Sequence, residues 1–178
     1  MVVDAFSFTG IGDRFLDLLL APVQYSEMLW IAIPLVLTLV LTELYFSRYK
    51  AEALGWNSAY GNALVLVFVA VDIFRYLYNH ALLETMSLKL AVAIALTMLA
   101  IILTVCNFLH LLPENVAYGL SAKLPMNFLA YLALLLVYSE VPIDWLTLLA
   151  AAGLLIVFSA VIILLQMIIP SSVEEVEY

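Results

Sequence analysis

The sequence predicts an all-α fold: a polytopic membrane helix bundle of five transmembrane helices preceded by a short interfacial helix. Three observations predict it. Hydrophobic residues make up 67% of the 178 residues and charged residues 11%, against roughly 45–50% and about 25% in an ordinary soluble domain. A soluble domain of this size could not hide so much apolar surface. The apolar residues also gather into five runs near the length, about 20 residues, that a helix needs to cross a hydrocarbon core. These runs are apolar on both sides, which excludes transmembrane strands, because those alternate lipid-facing with lumen-facing residues.

The elements follow in order. Asp13 to Pro22 reads as a short helix with Asp13 as N-cap and Pro22 as its stop. It is too short to cross a bilayer. It is therefore expected in the interface, with Arg14 and Asp17 toward water and Phe15, Leu16 and Leu19 toward acyl chains. The first span covers about residues 27–46, and Pro34 should bend it. The second covers about 57–79 and the third about 88–112. The fourth, about 124–141, is pinched by Asn127 and Glu140, and the fifth, about 145–169, ends at Pro170. Trp30, Trp56 and Trp145 stand near span ends, as interfacial anchoring requires. Residues 1–170 are thus one transmembrane domain, and 171–178 form an acidic tail. The N-terminus lacks the basic and apolar regions of a signal peptide, so the mature protein is expected to be the whole chain.

Charge and cysteine content narrow the partners. Six Lys plus Arg against fourteen Asp plus Glu give a net charge of −8. No nucleic-acid partner is expected, because such contacts need clustered cations. The single cysteine, Cys106, leaves no intrachain disulfide and no CxxC pattern. Arg48, Lys50 and Lys123 fall on one side of five alternating spans, with Arg14 and Lys89 on the other and Arg75 near them. The bias is weak and favours an N-terminus outside and a C-terminus inside.

Polar residues inside the spans are the candidate sites, because they are costly in hydrocarbon and face protein or a wet cavity. On the second span Ser58, Asn62, Asp72, Tyr76 and Asn79 fall within an arc of about 100°. Asp72 is the most expensive of them, and Arg75, three residues on, is its expected ion-pair partner. Depth matching across alternating spans places Glu43, Asn62, Asn107, His110, Asn127 and Gln166 in a polar layer near one membrane face. Asn107 and His110, three apart, are expected on one helix face. On the fifth span Ala152 with Ser159, and Gly153 with Ala160, are each spaced by seven, the pattern of a close-packing seam.

Motifs for chemistry are lacking. Gly10-Ile11-Gly12-Asp13 matches the GxGD string of intramembrane aspartyl proteases. Such an enzyme needs two carboxylates sharing a proton, and a turn with an N-cap explains the string here. No metal site or cofactor is expected. The reading that follows is a non-enzymatic, multi-pass integral membrane protein, a structural or accessory subunit of a homo- or hetero-oligomer whose remaining partner is the lipid bilayer. The alternative is a small channel or transporter with a polar path through Asp72 and Asn62. The third is a lipid-processing enzyme using Glu43, His110 and Glu114.

Overall fold

A computed structural model describes residues 8–49, 55–84 and 87–168. Among these residues every regular element is helical. The order is α1 (Phe8–Gln24), a 3-10 turn (Ser26–Met28), α2 (Leu29–Arg48), α3 (Trp56–Asn79), α4 (Leu88–Phe108), α5 (Glu114–Leu120), α6 (Lys123–Tyr138) and α7 (Trp145–Ile168). Five helical segments are long and apolar enough to cross a membrane. Lys50, Pro170 and the tail at 171–178 lie outside the described residues.

Spacing of small and branched side chains decides the packing. On α3 the buried positions are Ala59, Ala63, Leu66, Val69, Ala70, Ile73 and Leu77. On α4 they are Leu90, Ala93, Leu96, Ala100, Leu103 and Asn107. Both stripes recur every three to four residues, the period of one helix face. Their alanines let the two axes approach closely, and α3 with α4 is the most extensive pairing in the bundle. The hub is α6, which contacts α2, α3, α4, α7 and α1. Its residues Ala133 through Tyr138 are buried without a break, as a helix apolar all round should be. The span pinched in sequence by Asn127 and Glu140 is therefore the centre of the structure.

The bundle has two ends. At the Lys123 end α2, α4 and α7 finish and α3 and α6 begin. At the Lys89 end α2, α4 and α7 begin and α3 and α6 finish. Contacts bridge the elements at each end: Ser47 Oγ donates to the Gln166 carbonyl (3.0 Å) at the first, and Lys89 lies 3.0 Å from the mostly exposed Glu140 at the second.

Three expectations are corrected. First, α1 starts before Asp13 and runs through Pro22 to Gln24. Asp13 is inside the helix, so the GxGD string is helical rather than a turn with a cap. Pro22 does not stop the helix: it forgoes its own N–H bond, but the Tyr25 N–H still reaches the Ala21 carbonyl (2.8 Å). α1 packs along α7 with Leu18 and Ala21 fully buried. Phe15 accordingly turns inward, against Gly153, while Leu16 and Leu19 stay exposed.

Second, α4 stops at Phe108, four residues short of the expected end. His110 takes a left-handed conformation (φ 52°), and the Leu111 N–H returns to the Cys106 carbonyl (2.9 Å). This is the Schellman closure that terminates helices. Ala81 (φ 54°) closes α3 in the same way, through Leu82 N–H to the Leu77 carbonyl (2.9 Å). Third, the fourth span is entered through α5, a break at Ser121 and Ala122, and then α6. α6 ends at Tyr138, where Ser139 Oγ bonds back to the Leu135 carbonyl (2.5 Å), and Glu140 lies beyond it.

Candidate functional site

The Lys89 end holds the denser polar cluster. Asp72 Oδ1 accepts two hydrogen bonds from Arg75, from Nε (3.0 Å) and Nη2 (2.7 Å). Asp72 Oδ2 accepts the Tyr138 hydroxyl at 2.7 Å. The expected pair is therefore present and has a third member. Asp72 is mostly covered, with 15% of its side chain exposed, whereas Arg75 is 55% exposed. Tyr138 is 1% exposed. The guanidinium thus reaches toward the rim on its long stem, while the phenol anchors the carboxylate from inside.

Aromatic stacking carries the cluster outward. Tyr76 stacks on Tyr138 with ring centroids 3.9 Å apart, and His80 packs on Tyr76 at 4.2 Å. His80 Nδ1 lies 3.0 Å from the Tyr76 carbonyl, and its Nε2 lies 3.6 Å from Glu27 on the neighbouring 3-10 turn. Tyr25 accepts the Glu140 N–H through its hydroxyl oxygen (3.2 Å). Asp144 caps α7: its carboxylate accepts the Thr147 N–H (2.9 Å) and the Thr147 hydroxyl (3.0 Å), and it faces Arg14 Nη2 at 3.5 Å. The Thr147 N–H is the main influence holding the Asp144 carboxyl below the usual carboxylate range. Partial burial opposes it, and the Thr147 hydroxyl and Arg14 add to it.

At the Lys123 end the expected polar layer is divided. One part centres on the break before α6. Asn62 Nδ2 donates to the Ser121 carbonyl (2.8 Å). Asn107 Nδ2 donates to Ser121 Oγ (2.7 Å) and to the Ala59 carbonyl (3.2 Å). A second part joins α2 to α7, where Gln166 Nε2 donates to Glu43 Oε2 (2.9 Å). Asn127 bonds within its own helix, to the Lys123 carbonyl (2.8 Å). His110 leaves the layer: it is exposed and stacks on Trp56 at 4.1 Å. The expectation that it shares a helix face with buried Asn107 fails because α4 has already ended. Glu43, His110 and Glu114 do not converge, and among the described residues no three ligating side chains form a metal-sized group.

The small residues of α7 are placed unequally. Gly153 meets α1: a Cβ built there lies 3.7 Å from the Phe15 ring. Ala152 and Ala160 are exposed, and Ser159 Oγ bonds to the Leu155 carbonyl (2.8 Å).

Comparison with protein families, with curated proteins and with solved structures finds no match. The geometry alone therefore carries the reading below. Sequence reasoning missed Tyr138, Ser121 and Asp144. Asp144-Trp-Leu-Thr147 before an apolar run carried a legible cap signal. Tyr138 and Ser121 carried none, because their partners are 66 and 14 residues away.

Proposed function

We propose that this chain is a multi-pass integral membrane protein that works by packing: a non-enzymatic structural or accessory subunit, in contact with lipid and with further copies of itself or a partner membrane protein. One observation carries the reading. The costliest charge in the bundle, Asp72, is closed by three hydrogen bonds from Arg75 and Tyr138. A carboxylate saturated in this way fixes helix positions and offers little to a passing ion.

The channel or transporter reading needs a polar route from Asp72 to Asn62. Between them α3 buries Ala63, Leu66, Val69 and Ala70, and α6 buries Leu134, Leu135 and Val137. That layer supports the structural reading. The test is proton and monovalent-cation flux in vesicles containing the full chain. Wild type and Asp72→Asn should both match protein-free vesicles. Flux in the wild type that a folded Asp72→Asn variant loses would replace this reading with the channel.

A further inference from the structure

Two hollows meet at the Lys89 end. The first is a cavity of ≈ 600 Å3 with Tyr76, His80, Ser87, Lys89 and Glu140 on its polar side and Leu136 among its apolar walls. The second is a groove of ≈ 200 Å3 between α4 and α6, lined by Val92, Ala95, Leu99, Leu129, Ala133 and Leu136 among other apolar residues. Leu136 lines both, so a chamber at the bundle end, polar on one side, adjoins an apolar slot running toward the middle. Two short side chains, Ala95 and Ala133, make the slot on facing helices. From Leu136 to Leu129 it follows α6 for two turns, about 10 Å. A hollow that is polar at the rim and apolar below has the profile of an amphiphile lying along a helix bundle.

The rim charges select the headgroup. Lys89 Nζ and Glu140 Oε1 are 3.0 Å apart, with side chains 20% and 78% exposed. A cation and an anion side by side complement a molecule that carries both signs. Ser87 Oγ accepts the Leu90 N–H (3.2 Å), which leaves its own proton available to a phosphate oxygen. His80 is already turned to Glu27 and the Tyr76 carbonyl, so the rim holds no surplus of fixed positive charge to favour an anionic lipid.

We propose that this composite hollow binds one zwitterionic glycerophospholipid, with its phosphate toward Lys89 and Ser87, its ammonium toward Glu140 and one acyl chain in the α4–α6 groove. The proposal is independent of whether the bundle is a subunit or a channel. The test is titration of the full chain in detergent with dioleoyl phosphatidylethanolamine, dioleoyl phosphatidylglycerol and free phosphoethanolamine, read as the one-to-one adduct by native mass spectrometry. Saturable binding of the ethanolamine lipid is expected, with the glycerol lipid weaker by about tenfold, the scale of one charge-assisted hydrogen bond, and the free headgroup weaker still, because it has no acyl chain to bury in the groove. Lys89→Gln should weaken the ethanolamine lipid by a similar factor. Ala95→Phe fills the slot from an exposed position and so leaves the core intact; it should weaken the lipid but not the free headgroup. Equal binding of both lipids, binding unchanged by Lys89→Gln and Ala95→Phe, or tight binding of the headgroup alone would each overturn the proposal.

Discussion

Replacing Tyr138 by Phe removes one oxygen from a residue with almost no exposed surface. The ring, its stack on Tyr76 and its volume stay. What is lost is the 2.7 Å hydrogen bond to Asp72, and the carboxylate is left covered with one oxygen unserved. A hydrogen bond to a charged group contributes about 1.5–3 kcal/mol, and the burial of both partners places Tyr138→Phe within that range. Arg75→Gln removes two hydrogen bonds of similar length, yet its head is more than half exposed, and ion pairs open to solvent contribute about 0–1 kcal/mol. Water at the exposed rim takes the place of the guanidinium beside Asp72 Oδ1, while the Tyr138 hydroxyl still serves Oδ2. The buried neutral partner should therefore matter more than the exposed charged one. Reversible unfolding in mixed micelles measures both, and a double-mutant cycle with Asp72→Asn separates the pairwise part. Coupling between Asp72 and Tyr138 should be on the order of 1–3 kcal/mol, and between Asp72 and Arg75 about 0.5–1 kcal/mol. An Arg75→Gln cost larger than that of Tyr138→Phe, or additivity of Asp72→Asn with Tyr138→Phe, would refute the reasoning.

Two further outcomes are expected. At Gly153 a methyl group meets Phe15 at ordinary contact distance, so Gly153→Ala should be tolerated in thermal stability. Gly153→Leu must displace the Phe15 ring and α1, at a cost of about 1–3 kcal/mol. Asp144→Ala should cost about 0.5–2 kcal/mol at neutral pH through loss of the α7 cap. Because folding lowers the Asp144 carboxyl below its unfolded value, about 3.9, its ionic contribution is complete above that pH. It fades as pH falls through the lower folded value. Asp144→Asn, which still caps, should therefore show a flatter stability profile in that acid window in a pH series of melting curves.

Much of the fold was legible because five helices long and apolar enough to cross a membrane stand out in length and hydropathy. α3 and α7 begin and end within a residue of the expected limits, for that reason. The errors lie where local chemistry competes with hydropathy. Leu109, Leu111 and Leu112 read as a continuation of α4, yet the left-handed turn at His110 ends it; His110 and the following Pro113 are weak stop signals that the leucine run outweighs. Pro22 reads as a stop, yet it forgoes only the hydrogen bond of its own missing N–H, and the helix runs on for two residues to Gln24. The candidate site was legible in part. Asp72 and Arg75 are neighbours along one helix, so spacing found them. Tyr138 and Ser121 act across the bundle, and only packing brings them in.

The position of α6 explains why the polar groups sit where they do. A helix surrounded by five others can carry polar side chains only where its backbone also needs partners, at its two ends. There, broken turns expose carbonyls and N–H groups that side chains can serve. Ser121 and Asn127 stand at its start, and Tyr138 and Ser139 stand at its finish. Ser121 meets Asn62 of α3 and Asn107 of α4, Tyr138 meets Asp72 of α3, and Asn127 and Ser139 bond back to the Lys123 and Leu135 carbonyls. Between them Ala130 and Ala133 through Val137 are buried and apolar. The two clusters therefore act as clamps at the ends of one central helix. Their separation follows from the burial of α6.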